Sequence, residues 1–406
     1  MSTSQSHAAA GHRPERPRVQ ILDVLRGVAI LGIFFVNIPI MVDPVQAVGP
    51  GGAASKAGPA LGGAIGLLVE GTQRGLLQML FGAGMVLLTA KAARPDGPVS
   101  VADDYFRRNL WLLAIGLVHV FVVGWAYDVV HVYAITALFL FPFRLLRPAT
   151  ALLLGLSFAA LTLGGIIGGF GNAPGPDLVA TPASGGLVRD HAVAMWLAAY
   201  QGSGLWTCVL ESLCTMLVGV AFFQWGITQG DRSRGFYLKV AVVAYAIGCT
   251  VRLLLQPGMG HGSPRRWDCD EVGRLSMTVG HIAAINLAWQ GAAGRWLLRP
   301  FTAAGRTALS LYFLQSIVGL WVFAALPEIV RTAGRDHLVA TAAVVVSVQL
   351  LTANLWIRSF AIGPIEWAWH RLVDLSRPSP PMGADAGSKL RVATNRGVRN
   401  ANVRWW

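Results

Sequence analysis

Charge is what this chain has least of. Aspartate, glutamate, lysine and arginine together make up only 13% of its 406 residues, while 54% are hydrophobic. Mean hydropathy is +0.53. So few charges cannot coat a water-facing surface of this size, and a soluble globular enzyme is excluded; lipid must cover most of the folded chain. Acidic residues are scarcer still, 20 against 33 Lys and Arg. Cysteine is limited to Cys208, Cys214, Cys249 and Cys269, with no CxxC spacing and no neighbouring His cluster, so neither a zinc site nor a disulfide framework is indicated. Also missing are a Gly-x-Gly-x-x-Gly, a phosphate-binding loop, a Gly-x-Ser-x-Gly elbow and a His-Glu-x-x-His, which removes the usual soluble nucleotide, hydrolase and metalloprotease chemistries.

What the chain does have is long apolar runs between short polar breaks. About 20 apolar residues span a hydrocarbon core, and a helix satisfies its own backbone there. The expected fold is therefore an all-α, polytopic transmembrane bundle of about ten helices. Spans are placed near 20–42, 74–92, 109–126, 129–147, 149–171, 205–229, 236–255, 275–294, 306–326 and 338–358, with an amphipathic segment near 360–375. Residues 1–18 and 377–406 read as disordered basic tails around a membrane domain, 19–376, whose halves are 19–171 and 205–376. The first run is long and lacks a small-residue cleavage site, so it is expected to be a retained helix and not a signal peptide.

The basic residues sit at helix ends and in the tails. Alternation of ten spans puts the N-tail, Lys91, Arg94, Arg107 and Arg108, Arg144 and Arg147, Arg232 to Lys239, Arg295 to Arg306 and the C-tail on one face. Both termini are then cytoplasmic, facing anionic lipid of a bacterial plasma membrane. The 14 Trp read as interfacial anchors, and no nucleic-acid partner is expected. The Gly- and Pro-rich 172–204 segment on the opposite face is either a lid or a connector.

Ionisable groups inside hydrocarbon are costly, so they are the first places to look for function. Asp23 and Arg26 lie three apart on the first helix; they form either an ion pair that sets helix depth or a site where Arg26 receives ligand phosphates. Asn37 lies eleven residues further, about 16 Å along the helix, able to hydrogen-bond a substrate or a neighbouring helix. Glu70 and Arg74 read as a surface pair. His119 in the third span and Asp128 at the start of the fourth can meet across a short hairpin, where a carboxylate orienting an imidazole makes a general base or proton relay; a simple His-to-carbonyl bond is the alternative. His131 at the same corner is a reserve. Glu211 is the carboxylate deep in the sixth span and, with Tyr133, can complete an outer polar pocket. His281 and Asn286, five apart, share a face poorly.

Several segments taken in order resemble one family. They are Leu22-Asp23-Val24-Leu25-Arg26-Gly27 with Gly32 to Asn37, Leu80-Phe81-Gly82-Ala83-Gly84, Tyr105-Phe106-Arg107-Arg108 through His119, Asp128 to Tyr133, Gly305 to Ser310 through Leu314-Gln315-Ser316, and Gly363-Pro364-Ile365-Glu366-Trp367. Together they are similar to the YeiB-like bacterial membrane proteins grouped as domain of unknown function 418, which are often labelled transporters. The first helix is also similar to that of transmembrane acyltransferases. That resemblance implies acyl-coenzyme A as a co-substrate, with no bound cofactor or metal, a role for Arg26 and Asp23 near the coenzyme and for Asn37 near the transfer point, and a small-molecule or glycan-type acceptor on the far side. The chain departs from those relatives where a His commonly stands at the position of Asn37, and 38–73 contains no His. An acyl transfer here would need His119 or His131. A transporter of a small molecule and a non-catalytic scaffold are the competing readings.

Overall fold

A computed structural model describes residues 19–42, 61–90, 97–163, 188–200, 202, 204–255, 264–322 and 335–377; the two tails expected at 1–18 and beyond 377 lie outside them. Every described element is helical, and no strand is present among the described residues. The elements are α1 (Gln20–Val42), α2 (Leu61–Leu68), α3 (Thr72–Thr89), α4 (Gly97–Val118), α5 (Val130–Leu140), α6 (Pro148–Leu163), α7 (Val188–Tyr200), α8 (Gly204–Gln224), α9 (Arg234–Thr250), α10 (Pro264–Trp289), α11 (Ala292–Leu298), α12 (Pro300–Arg306), α13 (Ala308–Ile317), α14 (Arg335–Ser359) and α15 (Pro364–Leu375).

A helix lies at each expected span. Among the described residues five stretches, Gln20–Met41, Val101–Val123, Gly204–Gln224, Arg234–Leu253 and His337–Ser359, are long and apolar enough to cross a bilayer, and Val130–Leu145, Pro148–Leu163 and Ala308–Val322 are shorter apolar helices. Four helices fall where loops were expected. α2 precedes the second span, α7 occupies part of the 172–204 segment, and α11 and α12 fill the 295–306 connection. Each is short, 7 to 13 residues, which is why periodicity alone passes over them.

Two layers of packing hold the bundle. α1 runs through its centre, burying Leu25, Phe34 and Ile38 completely, while Leu153, Val242, Val344 and Leu351 face outward and give the bundle an apolar exterior. In lipid, helices gain little from burying apolar surface against one another, so close backbone approach over small residues does the work. Gly27 and Gly305 make that approach between α1 and α12: a Cβ on Gly27 would overlap the carbonyl of Phe301, and one on Gly305 the carbonyl of Asp23. Gly82 and Gly219 form the same reciprocal contact between α3 and α8, against Met216 and Met79.

Candidate functional site

α4 does not end as a regular helix. At His119 it widens into a π-turn, His119–Val123, whose first carbonyl accepts both Gly124 N (3.1 Å) and Trp125 N (3.2 Å). Gly124 follows with φ 94°, the left-handed region where glycine carries no Cβ penalty, and the chain reverses into α5. π-turns frequently mark functional positions. Here the extra residue aims His119 inward, where Gly116, one turn earlier, abuts the backbone of His131 so closely that a Cβ would overlap it.

Asp128 sits at this corner with both carboxylate oxygens engaged. Oδ1 lies 2.7 Å from His119 Nδ1, and Oδ2 lies 2.9 Å from His131 Nδ1 and accepts the backbone N–H of His131 at 2.8 Å. All three side chains are buried. Each oxygen faces an imidazole nitrogen and Oδ2 also a backbone N–H, so the carboxylate is an acceptor for both rings. The tautomers follow. Trp196 of α7 donates its indole N–H to His131 Nε2 (3.2 Å), leaving the His131 proton on Nδ1 to face Asp128. His119 likewise gives Nδ1–H to the carboxylate; its Nε2 is buried and has no hydrogen-bond partner among the described residues. The ring is clamped by Phe313 (4.1 Å between centroids, 21° between planes) and by the edge of Tyr312 (4.8 Å). The Tyr312 hydroxyl accepts Trp125 Nε1 (3.1 Å) and Val129 N (3.3 Å). An imidazole oriented by a carboxylate, with its second nitrogen unengaged, is built as a proton acceptor.

Glu211 belongs to a different cluster. α10 begins at Pro264, so Arg274, one residue before the span expected at 275–294, lies within the helix and is almost fully buried. Its Nη2 reaches Glu211 Oε1 (2.6 Å), Glu271 Oε1 (2.6 Å) and Thr215 Oγ1 (2.8 Å); Nε reaches Glu271 Oε2 (2.9 Å) and Nη1 reaches Gln78 Oε1 (3.1 Å). Gln78 Nε2 in turn donates to Glu211 Oε2 and Ser212 Oγ, both at 2.9 Å. Arg74 approaches Glu211 Oε1 at 3.8 Å. Two arginines and two glutamates thus meet across α3, α8 and α10, and each buried charge has an opposite charge beside it, the condition under which buried charge is tolerated. Tyr133 stands between this cluster and the Asp128 corner: its hydroxyl donates to the Arg74 carbonyl (3.3 Å). Nearby, the buried Arg252 donates to the carbonyls of Gly66 (3.2 Å), Leu67 (2.7 Å) and Glu70 (2.8 Å), satisfying the C-terminal end of α2.

Arg26 and Asp23 pair at 3.3 Å, and Arg26 also donates to the Gly305 carbonyl at 3.4 Å. Arg26 lines a cavity of about 120 Å³ between α1, α3, α4, α5, α12, α13 and α15, whose wall also carries Arg108, Arg306, Glu366, Tyr133 and Tyr312. Tyr312 closes the cavity on one side and touches the His119 ring on the other. His119, Asp128 and Glu211 are not in the lining, whereas Tyr312 and Tyr133 are. Asn37 is half-buried, lies outside the lining and makes no side-chain hydrogen bond to a described residue. Gln78, Arg252, Glu271 and Arg274 belong to no sequence motif, and the i,i+3 spacing of Glu271 and Arg274 is the one signal in the sequence that points to them.

Residues 222–376 match the family model described as "Protein of unknown function (DUF418)". The chain is similar to the uncharacterized protein YxaH of Bacillus subtilis (strain 168), 24% identical over 396 residues, covering 88% of this chain and 95% of that one. It is also similar to the uncharacterized protein YeiB of Escherichia coli (strain K12), 26% identical over 398 residues, covering 86% and 95%.

Proposed function

We propose that the chain is a member of the YeiB-like DUF418 family, which its match to that family model and its two relatives support, and that, from its apolar helices and buried imidazole, it is a multi-pass plasma-membrane acyltransferase with both termini cytoplasmic and about ten crossings. The observation that carries this is His119: its Nδ1–H is fixed on Asp128 while Nε2 is buried without a described partner. In the proposed reaction Nε2 takes the proton of an acceptor hydroxyl as its oxygen attacks the carbonyl of an acyl-coenzyme A thioester. The tetrahedral intermediate collapses, the C–S bond breaks, and the proton passes from His119 to the leaving thiolate, giving an ester and free coenzyme. Asp128 positions the ring and stabilises its protonated form. Arg26, beside Asp23, meets the coenzyme phosphates, and Tyr133 and Glu211 border the acceptor side, where a glycan-type hydroxyl is the expected substrate. Asn37 is assigned to the acceptor path by resemblance alone.

The test is consumption of acyl-coenzyme A by the purified protein in proteoliposomes. Turnover that His119→Ala and Asp128→Asn both abolish supports the reading; a wild-type protein inert toward a panel of acyl-coenzymes and hydroxyl acceptors sinks it. Transport of a small molecule is the second reading, favoured by the Arg74–Glu211–Arg274–Glu271 cluster, since charges inside membrane helices mark substrate or ion paths. Solute flux that persists in His119→Ala and stops in Glu211→Gln would select it.

A further inference from the structure

The Asp128 corner is covered from two sides by unlike structures. On one side stand Tyr312 and Phe313 of α13, inside the bundle; on the other stands α7, a helix of 13 residues within the 172–204 segment. Trp196 and Tyr200, four residues apart and so on one face of α7, carry its contact with the corner. The Trp196 indole N–H meets His131 Nε2 at 3.2 Å, its ring lies edge-on to Phe121 of the π-turn (5.4 Å between centroids), and Tyr200 lies edge-on to the His131 ring (5.2 Å). Leu197, between them in sequence, is exposed instead. The contacts of α7 gather on the π-turn and, to a lesser extent, on α8. One hydrogen bond and a few ring contacts each shift an equilibrium by about tenfold or less, so this attachment is weak beside the bundle it covers, and a weakly attached element opens before the whole fold does.

The connection from α7 to α8 is built to turn. Gly202 holds φ 58°, in the left-handed region that glycine enters without a Cβ penalty, and a Cβ there would meet nothing within 4 Å. Gly204, the first residue of α8, lies so close to the Ala199 carbonyl that a Cβ would overlap it. A sharp glycine reversal at the end of one element, with open space around it, has the form of a hinge. While α7 is docked, both nitrogens of His131 are engaged, Nδ1 by Asp128 and Nε2 by Trp196. The docked helix thereby reserves the role of base for His119, whose Nε2 has no described partner. We infer that α7 is a lid over the Asp128 corner, hinged at Gly202 and latched by Trp196 on His131, and that its opening is the route by which a hydroxyl-bearing acceptor reaches His119. The inference rests on the acyl-transfer reading only in naming what enters; hinge and latch stand on α7 itself.

Two measurements on the full-length protein in detergent need no substrate. Amide hydrogen exchange followed by mass spectrometry should show α7 exchanging at least about tenfold faster than α5 and α8, through an opening that leaves the bundle folded. Gly202→Ala penalises the closed backbone and should quicken α7 exchange by about fivefold with α8 unchanged. Diethyl pyrocarbonate acylates an unprotonated imidazole nitrogen; it should modify His131 about fivefold faster in Trp196→Phe, the worth of one hydrogen bond, and faster again in Trp196→Ala. Exchange of α7 in step with α8 in both wild type and Gly202→Ala, or thermally intact Trp196 variants whose His131 reacts no faster, overturns the inference. The wild-type exchange pattern decides the question whatever the stability of the variants. In proteoliposomes that turn over, Trp196→Ala should raise KM for the hydroxyl acceptor about tenfold and leave that for acyl-coenzyme A within about twofold; equal shifts in both overturn the acceptor route. An α7 that opens independently in a protein inert toward acyl-coenzyme A would sink acyl transfer and leave the lid standing. Turnover by a protein whose α7 moves only with α8 would do the reverse.

Discussion

The carboxylate of Asp128 is shared by two imidazoles: His119 Nδ1 lies 2.7 Å from Oδ1 and His131 Nδ1 lies 2.9 Å from Oδ2, all within a corner closed to solvent. An amide at this position keeps one acceptor oxygen and presents two donors to a site that also supplies donors. Asp128→Asn is therefore expected to lower stability by about 1–3 kcal/mol, the cost of leaving a buried donor unsatisfied, and to remove any His119-dependent turnover. Thermal unfolding in detergent and the proteoliposome assay measure the two effects separately; an unchanged melting temperature would contradict the shared-acceptor geometry.

Arg274 compensates Glu211 and Glu271 at 2.6 Å each. Arg274→Met removes one positive charge and leaves two buried carboxylates, so a loss of about 3–5 kcal/mol is expected, as for breaking a buried pair. Glu271→Gln keeps the Glu211 contact and should cost less. Combining it with Arg274→Met should recover part of the loss. A double variant no more stable than Arg274→Met would show that the four charges are not coupled.

Glu366 lies in α15, outside the spans, with its carboxylate buried against the start of α13. Burial pushes its pKa above the ordinary carboxylate value, and its bonds to Ser310 and Leu309 only partly offset that. The folded chain then holds the Glu366 proton more tightly than the unfolded chain does. This contribution is fully present below the ordinary carboxylate pKa and is lost as pH rises through the folded value. Melting temperature followed from about pH 4 to pH 8 should fall less in Glu366→Gln than in wild type over that window. Parallel profiles would remove the titration from Glu366.

Gly305 faces the backbone of Asp23, and Gly27 that of Phe301, with no room for a Cβ on either. Gly305→Leu should push α12 from α1 and shift Arg306 and the cavity with it. The expected readout is a melting temperature lowered by the equivalent of at least about 1–3 kcal/mol, the usual cost of overpacking. Gly235→Ala, at a glycine where a Cβ would meet nothing within contact distance, serves as the control and should not lower it.

The helical, lipid-facing character of this chain was legible in the sequence because it is set by local quantities: run length, hydropathy and the placement of charge at run ends. The amphipathic segment expected near 360–375 is α15, and the corner predicted to join His119 with Asp128 does so, since only a short reversal separates them. The sharing of Asp128 with His131 and the π-turn that aims His119 were not legible, because both depend on how the reversal closes over Gly116 and Gly124.

Sequence by itself therefore determined the class of solvent the chain needs and the existence of its long helices, properties that sum over neighbouring residues. Tertiary structure alone decided that Arg274 would meet Glu211, that Tyr312 would stand between the arginine-lined cavity and His119, and that Asn37 would make no side-chain bond to a described residue. The physical reason is that a buried charge is tolerated only where its counter-charge arrives, and that meeting is arranged by helix crossings at small residues far apart in the chain. No local pattern encodes it.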